Sequence, residues 1–380
     1  MKVWPLVPLA DVLRHRKEFI TIDDIQQYKR CRVQLHAKGV LLRDIVSGAD
    51  IKTKKQQVCR AGEFLVAEID AKMGGFGLVP AELDGAVVSS HYFLFEIDES
   101  CIDARYLDHY CRTDRFRKQV EAQGSTNYAA IRPADVLAYT IPLPSLAEQK
   151  SLVARLDALA EKIRQVEAHL DAVERDAEHL LALRFRDAIA DAPLRSMAEV
   201  APFVRRPVEI DIETLYREIG ARSFGKGLFI KPDFDGAEAT WQKPVWVNSG
   251  DLVLSNIKAW EGAIAIAGDE HDGCIASHRY ITCIPDPEQT TAGFLAYYLL
   301  SEDGLEKVGL ASPGTADRNR TLSLGNLGKI EVPTPPLAAQ RSFERLQAEI
   351  AALKAKHIAI REANAALLPA TLERVFSEGH

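Results

Sequence analysis

The uninterrupted stretch Ser145 to Ala190 constrains this chain most. It contains no glycine and no proline, and it is rich in Ala, Leu, Glu and Arg, the strong helix formers. Leu152, Leu156, Leu159, Ile163, Val166, Leu170, Val173, Ala177 and Leu180 recur at alternating spacings of four and three. That is the heptad seam of a coiled coil, and it demands an apolar partner along its length. At 1.5 Å per residue such a helix runs to roughly 65 Å, far beyond an ordinary globular helix.

The same chain supplies a partner. From Leu337 a second seam runs through Phe343, Leu346, Ile350, Leu353, His357, Ile360, Asn364 and Leu367. His357 and Asn364 interrupt it. The reading adopted places them slightly off the seam; the other is that they set register, as polar seam residues can. Each helix is introduced by a strand exit and a proline turn, IPLPSLAEQ at Ile141 to Gln149 and VPTPPLAAQ at Val332 to Gln340. Proline disfavours helix in the residue before it and suits the first turn, so both helices are expected to start sharply.

A second regularity is a repeat. Shifted by 188 residues, the chain lies on itself without a gap from Pro5 to Tyr110. Lys38-Gly39 falls on Lys226-Gly227, Gly62-Glu63 on Gly250-Asp251, Gly74 on Gly262, Asp84-Gly85 on Asp272-Gly273, and Tyr110 on Tyr298. So many matches at one offset, turn glycines among them, mean duplication. Within each half, Gly62 to Val66, Val87 to Ile97, Asp251 to Leu254 and Cys274 to Ile284 read as strands. Ala104 to Val120 and Ala292 to Val308 read as helices. The expected fold class is therefore α+β: two duplicated domains joined by two long helices that pair as an antiparallel intramolecular coiled coil. The expected divisions are residues 1–144, 145–190, 191–335 and 336–380.

Composition narrows the function. The chain has 380 residues, 47% hydrophobic and 27% charged, with a net charge of −7. The N-terminus lacks a long apolar core and no run reaches transmembrane length, so a cytoplasmic protein without a membrane partner is expected. Six cysteines form no CxxC and no zinc-like spacing, so no metal is expected and buried reduced thiols are. Charge is uneven: Lys29 to Arg60 holds nine basic residues against Asp44 and Asp50. Any polyanion site is therefore local.

Catalytic patterns are missing. The chain has no GxxxxGK[ST], GxGxxG after a strand, HExxH or GxSxG. Ser89-Ser90-His91 and Ser277-His278-Arg279 sit in apolar strands and lack a third group, so packing is the better reading. Scattered carboxylates such as Asp70 and Asp98 leave a metal-dependent nuclease as a competing reading.

Loop chemistry suits recognition instead. Lys52, Lys54, Lys55 and Arg60 cluster beside Gln56 and Gln57, with side chains that reach phosphates and base edges; a solvated charged loop is the other reading. Ser125, Thr126 and Asn127 precede the last strand of the first domain, and Thr315, Arg318 and Arg320 hold the same place in the second. Small, hydroxyl, amide and arginine side chains there suit close approach to a nucleic-acid backbone, and a surface turn is the alternative. Lys72 and the Lys258-Ala259-Trp260 stretch occupy corresponding loops, where Trp260 is able to pack or stack.

This pattern resembles the specificity subunit of type I restriction–modification enzymes, the HsdS family. The resemblance rests on the duplicated domains, each followed by a long helix, and on the helix entries IPLPSLAEQKSLVARLDAL and VPTPPLAAQRSFERLQAEI. The helix end ALLPATLERVF and the loops GSTN and GTAD add to it. It covers essentially the whole chain. It implies that each half is a target recognition domain reading one half of a bipartite double-stranded DNA sequence. The coiled coil then acts as a ruler for the unspecified spacer. It also implies a non-catalytic recognition subunit. Two methyltransferase (modification) subunits would dock on it and carry S-adenosylmethionine, and restriction/translocase subunits would use ATP and Mg2+; no cofactor is expected in this chain. A specificity subunit serving a methyltransferase alone, and a coiled-coil scaffold that binds no DNA, are the alternatives.

Overall fold

The computed structural model of the protein describes residues 4–121, 131–238, 243–314 and 320–378. Two compact units emerge, Met1–Leu170 with His357–His380, and Asp171–Lys356. The boundary falls inside both long helices, so each unit takes a globular part and portions of two helices.

In the first unit, Leu13–Arg16, Tyr92–Ile97, Phe64–Ala67 and Phe76–Leu78 form a four-stranded antiparallel sheet in that order. A five-stranded sheet orders Phe19–Thr21, Lys55–Val58, Val87–Val88, Gln27–Val33 and Val40–Ser47. The helices are α1 (Ala104–Cys111), α2 (Asp114–Glu121), α3 (Pro133–Ala138) and the long α4 (Leu146–Ile189). Phe64, Phe76, Phe95, Tyr106, Tyr110 and Phe116 are buried in its main core.

The second unit repeats the four-stranded sheet as Phe203–Val204, Tyr280–Cys283, Leu252–Ser255 and Ile264–Ile266. Its helices are α5 (Met197–Val200), α6 (Ala292–Leu300), α7 (Glu302–Leu310), α8 (Leu324–Gly328) and the long α9 (Leu337–Glu378). The five-stranded sheet has no single counterpart among the described residues; three two-stranded ribbons stand in its part of the chain.

Duplication extends to individual interactions. Asp23 N–H donates to the Tyr28 hydroxyl at 3.0 Å, and Asp211 N–H to the Tyr216 hydroxyl at 2.9 Å. The Asp84 carboxylate accepts Ala61 N–H at 2.9 Å, and that of Asp272 accepts Ser249 N–H at 3.0 Å. A Cβ on Gly48 would lie 1.9 Å from Asp23 O, and one on Gly236 2.0 Å from Asp211 O. Only glycine admits the backbone at that crossing.

Four expectations are corrected. The helix read as Ala104 to Val120 breaks at Thr113, whose buried hydroxyl donates to Tyr110 O and accepts Phe116 N–H. Ser301 breaks the second at the matching place, donating to Tyr298 O and accepting Gly304 N–H. A hydroxyl that satisfies both the ending and the starting helix outweighs the propensity to continue. The long strands Val87 to Ile97 and Cys274 to Ile284 also break, and Ser89-Ser90-His91 and Ser277-His278-Arg279 lie in the turns between their pieces. All six cysteines are free thiols, but Cys101 is exposed rather than buried.

The fourth correction concerns the seam. Phe343, Ile350 and His357 are buried, whereas Ile360 and Leu367 are exposed at 41% and 44%. Beyond His357 the inward stripe moves to half-buried Arg361, Asn364 and Leu368, then buried Leu372 and Phe376. His357 and Asn364 thus lie on the seam. Asn364 donates to Glu167 at 3.2 Å, beside Arg361, which donates to the same carboxylate at 2.7 Å. In α4, Val153, Leu156 and Leu170 are buried and Val166 is 39% exposed.

In the first unit Leu152, Leu156 and Leu159 of α4 line one pocket with Leu367, Thr371 and Val375 of α9. In the second, Leu180, Arg184 and Ala188 line another with Ala339, Phe343 and Leu346. Early α4 with late α9, and late α4 with early α9, is antiparallel pairing within each unit.

The helix entries explain themselves. Gln149 and Gln340 are wholly buried. Gln149 accepts Asp103 N–H at 2.8 Å and donates to the carbonyls of Cys101 and Pro144. Gln340 accepts Thr291 N–H at 2.9 Å and donates to the carbonyls of Gln289 and Pro335. Each glutamine satisfies backbone groups that would otherwise be buried unpaired, and so latches a long helix to its globular part.

Glu167 yields a pH prediction. Hydrogen bonds from Arg361, then from Asn364, hold its carboxyl below the ordinary value of 4.5. A carboxylate depressed in the folded state adds stability above its unfolded pKa, and that stability is lost as pH falls through the folded value. Glu167→Gln is expected to flatten the acid limb of urea-midpoint against pH below about 4.5. An unchanged limb would remove this pairing from the account.

Candidate nucleic-acid interface

The first unit's basic block folds into the five-stranded sheet. Gln27–Val33 pairs with Val40–Ser47, setting Arg30 opposite Asp44. Arg30 donates two hydrogen bonds to that carboxylate, both 2.7 Å. The bidentate contact raises the arginine pKa and holds the Asp44 carboxyl down. Beside it, Arg30, Arg43, Lys52, Thr53, Gln56 and Tyr92 line a groove of about 350 Å³, with Asp50 also present. Arg30 and Arg43 share the Asp44 carboxylate, the latter at 3.6 Å, so three cations against Asp44 and Asp50 leave the groove with one net positive charge.

The other basic residues are tied down to differing degrees. Lys54 donates to Asp24 at 2.5 Å and to Gly48 O at 2.8 Å. Lys55 lies over the Phe19 ring at 4.8 Å. Arg60 pairs with Glu18 at 2.6 Å and Glu96 at 3.3 Å, in a network that includes Arg16 and Glu63. Its charge is balanced locally, which makes it the weakest contact candidate of the four. Gln56 and Gln57 were expected to face a ligand, but both are buried; Gln56 donates to Thr53 O at 2.6 Å and Gln57 to Tyr92 O at 2.7 Å.

In the second unit, Lys258, Trp260 and Arg320 come together. The Lys258 ammonium is 5.2 Å and the Arg320 guanidinium 4.5 Å from the Trp260 ring centre. Trp260 Nε1–H donates to Ile257 O at 3.1 Å, fixing the indole. Arg320 donates to Gly309 O at 2.9 Å and Ser312 O at 3.3 Å, so it closes the end of α7 as well as stacking. Lys258 pairs with Glu261 at 2.5 Å, which lowers the Glu261 pKa. Ser125, Thr126, Asn127, Thr315 and Arg318 lie outside the described residues.

Sequence reasoning missed a hairpin in each half. The turn between Gln27–Val33 and Val40–Ser47 is closed by Gln34 N–H to Gly39 O at 2.8 Å. Its tip, His36-Ala37, rests on the 3-10 turn Ala71–Met73 that carries half-buried Lys72. His36 N–H donates to Met73 O and Ala37 N–H to Gly74 O. In the second half the turn between Ile219–Ala221 and Leu228–Ile230 is closed by Arg222 N–H to Gly227 O at 3.0 Å. Its tip, Phe224-Gly225, donates likewise to Glu261 O and Gly262 O. Gly74 is required: a Cβ there would meet Ala37 N at 2.6 Å. Hairpin tip and loop therefore recur as a unit, with different side chains at the same positions. The only sequence signal was the shared Lys38-Gly39 and Lys226-Gly227.

Among the described residues no group of three or more His, Cys, Asp or Glu is placed to hold a metal. Asp98 is occupied by Ser100, through both N–H and hydroxyl. No described helix is long and apolar enough to cross a membrane.

Residues 4–175 match the type I restriction modification DNA specificity domain. The matched residues make up less than half of the chain. One curated relative is the specificity subunit of the type I restriction enzyme StySPI of Salmonella potsdam. It is 24% identical over 173 residues, covering 45% of this chain and 33% of the relative. The match thus spans about a third of that relative's length. The HsdS subunit of Thermoanaerobacter tengcongensis has the same fold, at a TM-score of 0.66 with 21% identity over 99% of this chain and 97% of the other. A chain solved in work on assembly and conformational transition of the type I R-M system superposes with a TM-score of 0.67, at 21% identity over 98% and 97%. Two α+β domains linked by long helices are thus a fold that this chain shares with both solved chains.

Proposed function

We propose that this chain is the non-catalytic DNA-recognition subunit of a type I restriction–modification system in the cytoplasm. Each α+β half reads one half of a bipartite target, and the paired α4 and α9 set the spacer. Two modification subunits supply S-adenosylmethionine chemistry on adenine, and restriction subunits supply ATP-driven translocation and cleavage. The observation that carries this reading is the preserved scaffold with divergent presentation. The Asp–Tyr, Asp–N–H and glutamine contacts are kept in both halves, while His36 and Lys72 in one stand where Phe224 and Trp260 stand in the other. A scaffold kept in both halves with the side chains on its tips and loops changed is what reading two different half-sites requires. We place Arg43, Lys52, Lys55 and Lys72 at DNA in the first half, and Lys258, Trp260 and Arg320 in the second.

The test is exchange. Replacing residues 1–140 by the matching domain of another family member should change one half of the methylated-adenine motif and leave the other half and the spacer intact. Both halves changing, or neither, overturns the modular reading.

A further inference from the structure

We propose that Phe224 makes an apolar contact to bases of the second half-site, presented to duplex DNA by a hairpin tip seated on the Lys258–Glu261 loop. This rests on the function proposed above. Phe224 has φ +62° and is 75% exposed. A left-handed backbone is unfavourable for an aromatic residue, and glycine would occupy it without strain. An exposed ring recovers little of that cost by burial, so folding does not account for phenylalanine here.

The tip is held. Phe224 N–H donates to Glu261 O at 2.8 Å and Gly225 N–H to Gly262 O at 2.9 Å. The Ser223 hydroxyl donates to the Glu261 carboxylate at 3.0 Å, which also takes Lys258. One chain of contacts therefore joins the tip to Lys258, Trp260 and Arg320.

The surroundings select the partner. The Lys226 ammonium lies 5.9 Å from the ring centre, exposed Arg222 in the same turn sits over the Phe229 ring at 4.6 Å, and Lys258 and Arg320 lie along the contact chain. Lys258 neutralises Glu261, which leaves Arg222, Lys226 and Arg320 as three cations in surplus. An apolar ring framed by positive charge suits a polyanion that also offers apolar base faces and thymine methyls. A protein groove would call for apolar neighbours instead. The first domain builds the same tip with exposed His36 at φ +61°. The position is thus shared and the side chain is what differs.

The experiment selects bound duplexes from a randomised pool, using the full chain in the complex it forms in its own host. Wild type is compared with Phe224→Gly, Phe224→Ala and Phe224→Trp. Phe224→Gly should melt no lower than wild type, because glycine relieves the backbone, yet lose preference at one or two positions of one half-site. Affinity for the wild-type motif should fall about 10-fold or more, and Phe224→Trp should keep most of it. The inference fails if Phe224→Gly selects the same motif with the same affinity. It also fails if binding to all sequences weakens equally, which marks a phosphate contact, or if DNA preference is kept while a protein subunit is lost. If wild type selects no motif, the recognition reading fails with it.

Discussion

Glu63→Ala should destabilise the first unit by about 3–5 kcal/mol. Arg16 and Glu63 are 8% and 5% exposed. Arg16 donates from Nε and Nη2 to the two Glu63 carboxylate oxygens and also to Val58 O, and Glu63 accepts Arg60 N–H at 2.8 Å. The contact with Glu63 is the main reason the Arg16 pKa is raised. Removing Glu63 leaves a buried guanidinium without its principal counter-charge and orphans a backbone donor. The matching pair behaves differently, because Arg206 is 23% exposed against 4% for Asp251. Water can partly replace Asp251, so Asp251→Ala should cost the second unit less, about 1–3 kcal/mol. Urea unfolding of both variants checks the ranking; equal losses would show that burial does not set the cost here.

Phe185→Ala and Phe376→Ala should each cost about 3–5 kcal/mol, in different units. Phe185 is buried near the end of α4, with ring centres of Phe294, Tyr297 and Phe343 at 5.3, 4.7 and 5.3 Å. Phe376 is buried at the end of α9, with Tyr106 at 5.3 Å and Tyr110 at 5.1 Å. The helix that follows the first globular part therefore ends in the core of the second, and the helix that follows the second ends in the core of the first. Limited proteolysis with mass mapping should show Phe185→Ala opening residues 191–356 and Phe376→Ala opening residues 5–140. Identical cleavage patterns would refute this exchange of helix ends.

The exchange was only half legible beforehand. ALLPATLERVF looks like a helix end and antiparallel pairing was expected, but no local pattern marks Phe185 and Phe376 as the side chains that enter the two cores. The helices themselves were legible because periodicity and the lack of glycine and proline act locally: α4 runs Leu146–Ile189 within the stretch read as Ser145 to Ala190. The seam was legible only to His357. Beyond it the inward stripe includes Arg361 and Asn364, because Glu167 satisfies them. An apolar-only seam assigns Ile360 and Leu367 instead.

The candidate interface divides the same way. Charge clustering at Lys29 to Arg60 pointed to the region where Arg30, Arg43 and Lys52 line a groove, since charge density survives folding. Which cations keep a net field depends on partners distant in sequence: Glu18 and Glu96 for Arg60, Asp24 for Lys54.

By itself the sequence determined the duplication, the two long helices and their proline entries. Each depends on spacing and residue type, which local chemistry reads directly. The tertiary structure alone decided which helix end fills which core and which charges are neutralised. It also decided that His36 and Phe224 are held outward on left-handed tips against neighbouring loops. Those outcomes depend on hydrogen bonds and packing between segments far apart in the chain, and on a backbone angle that the residue names do not reveal.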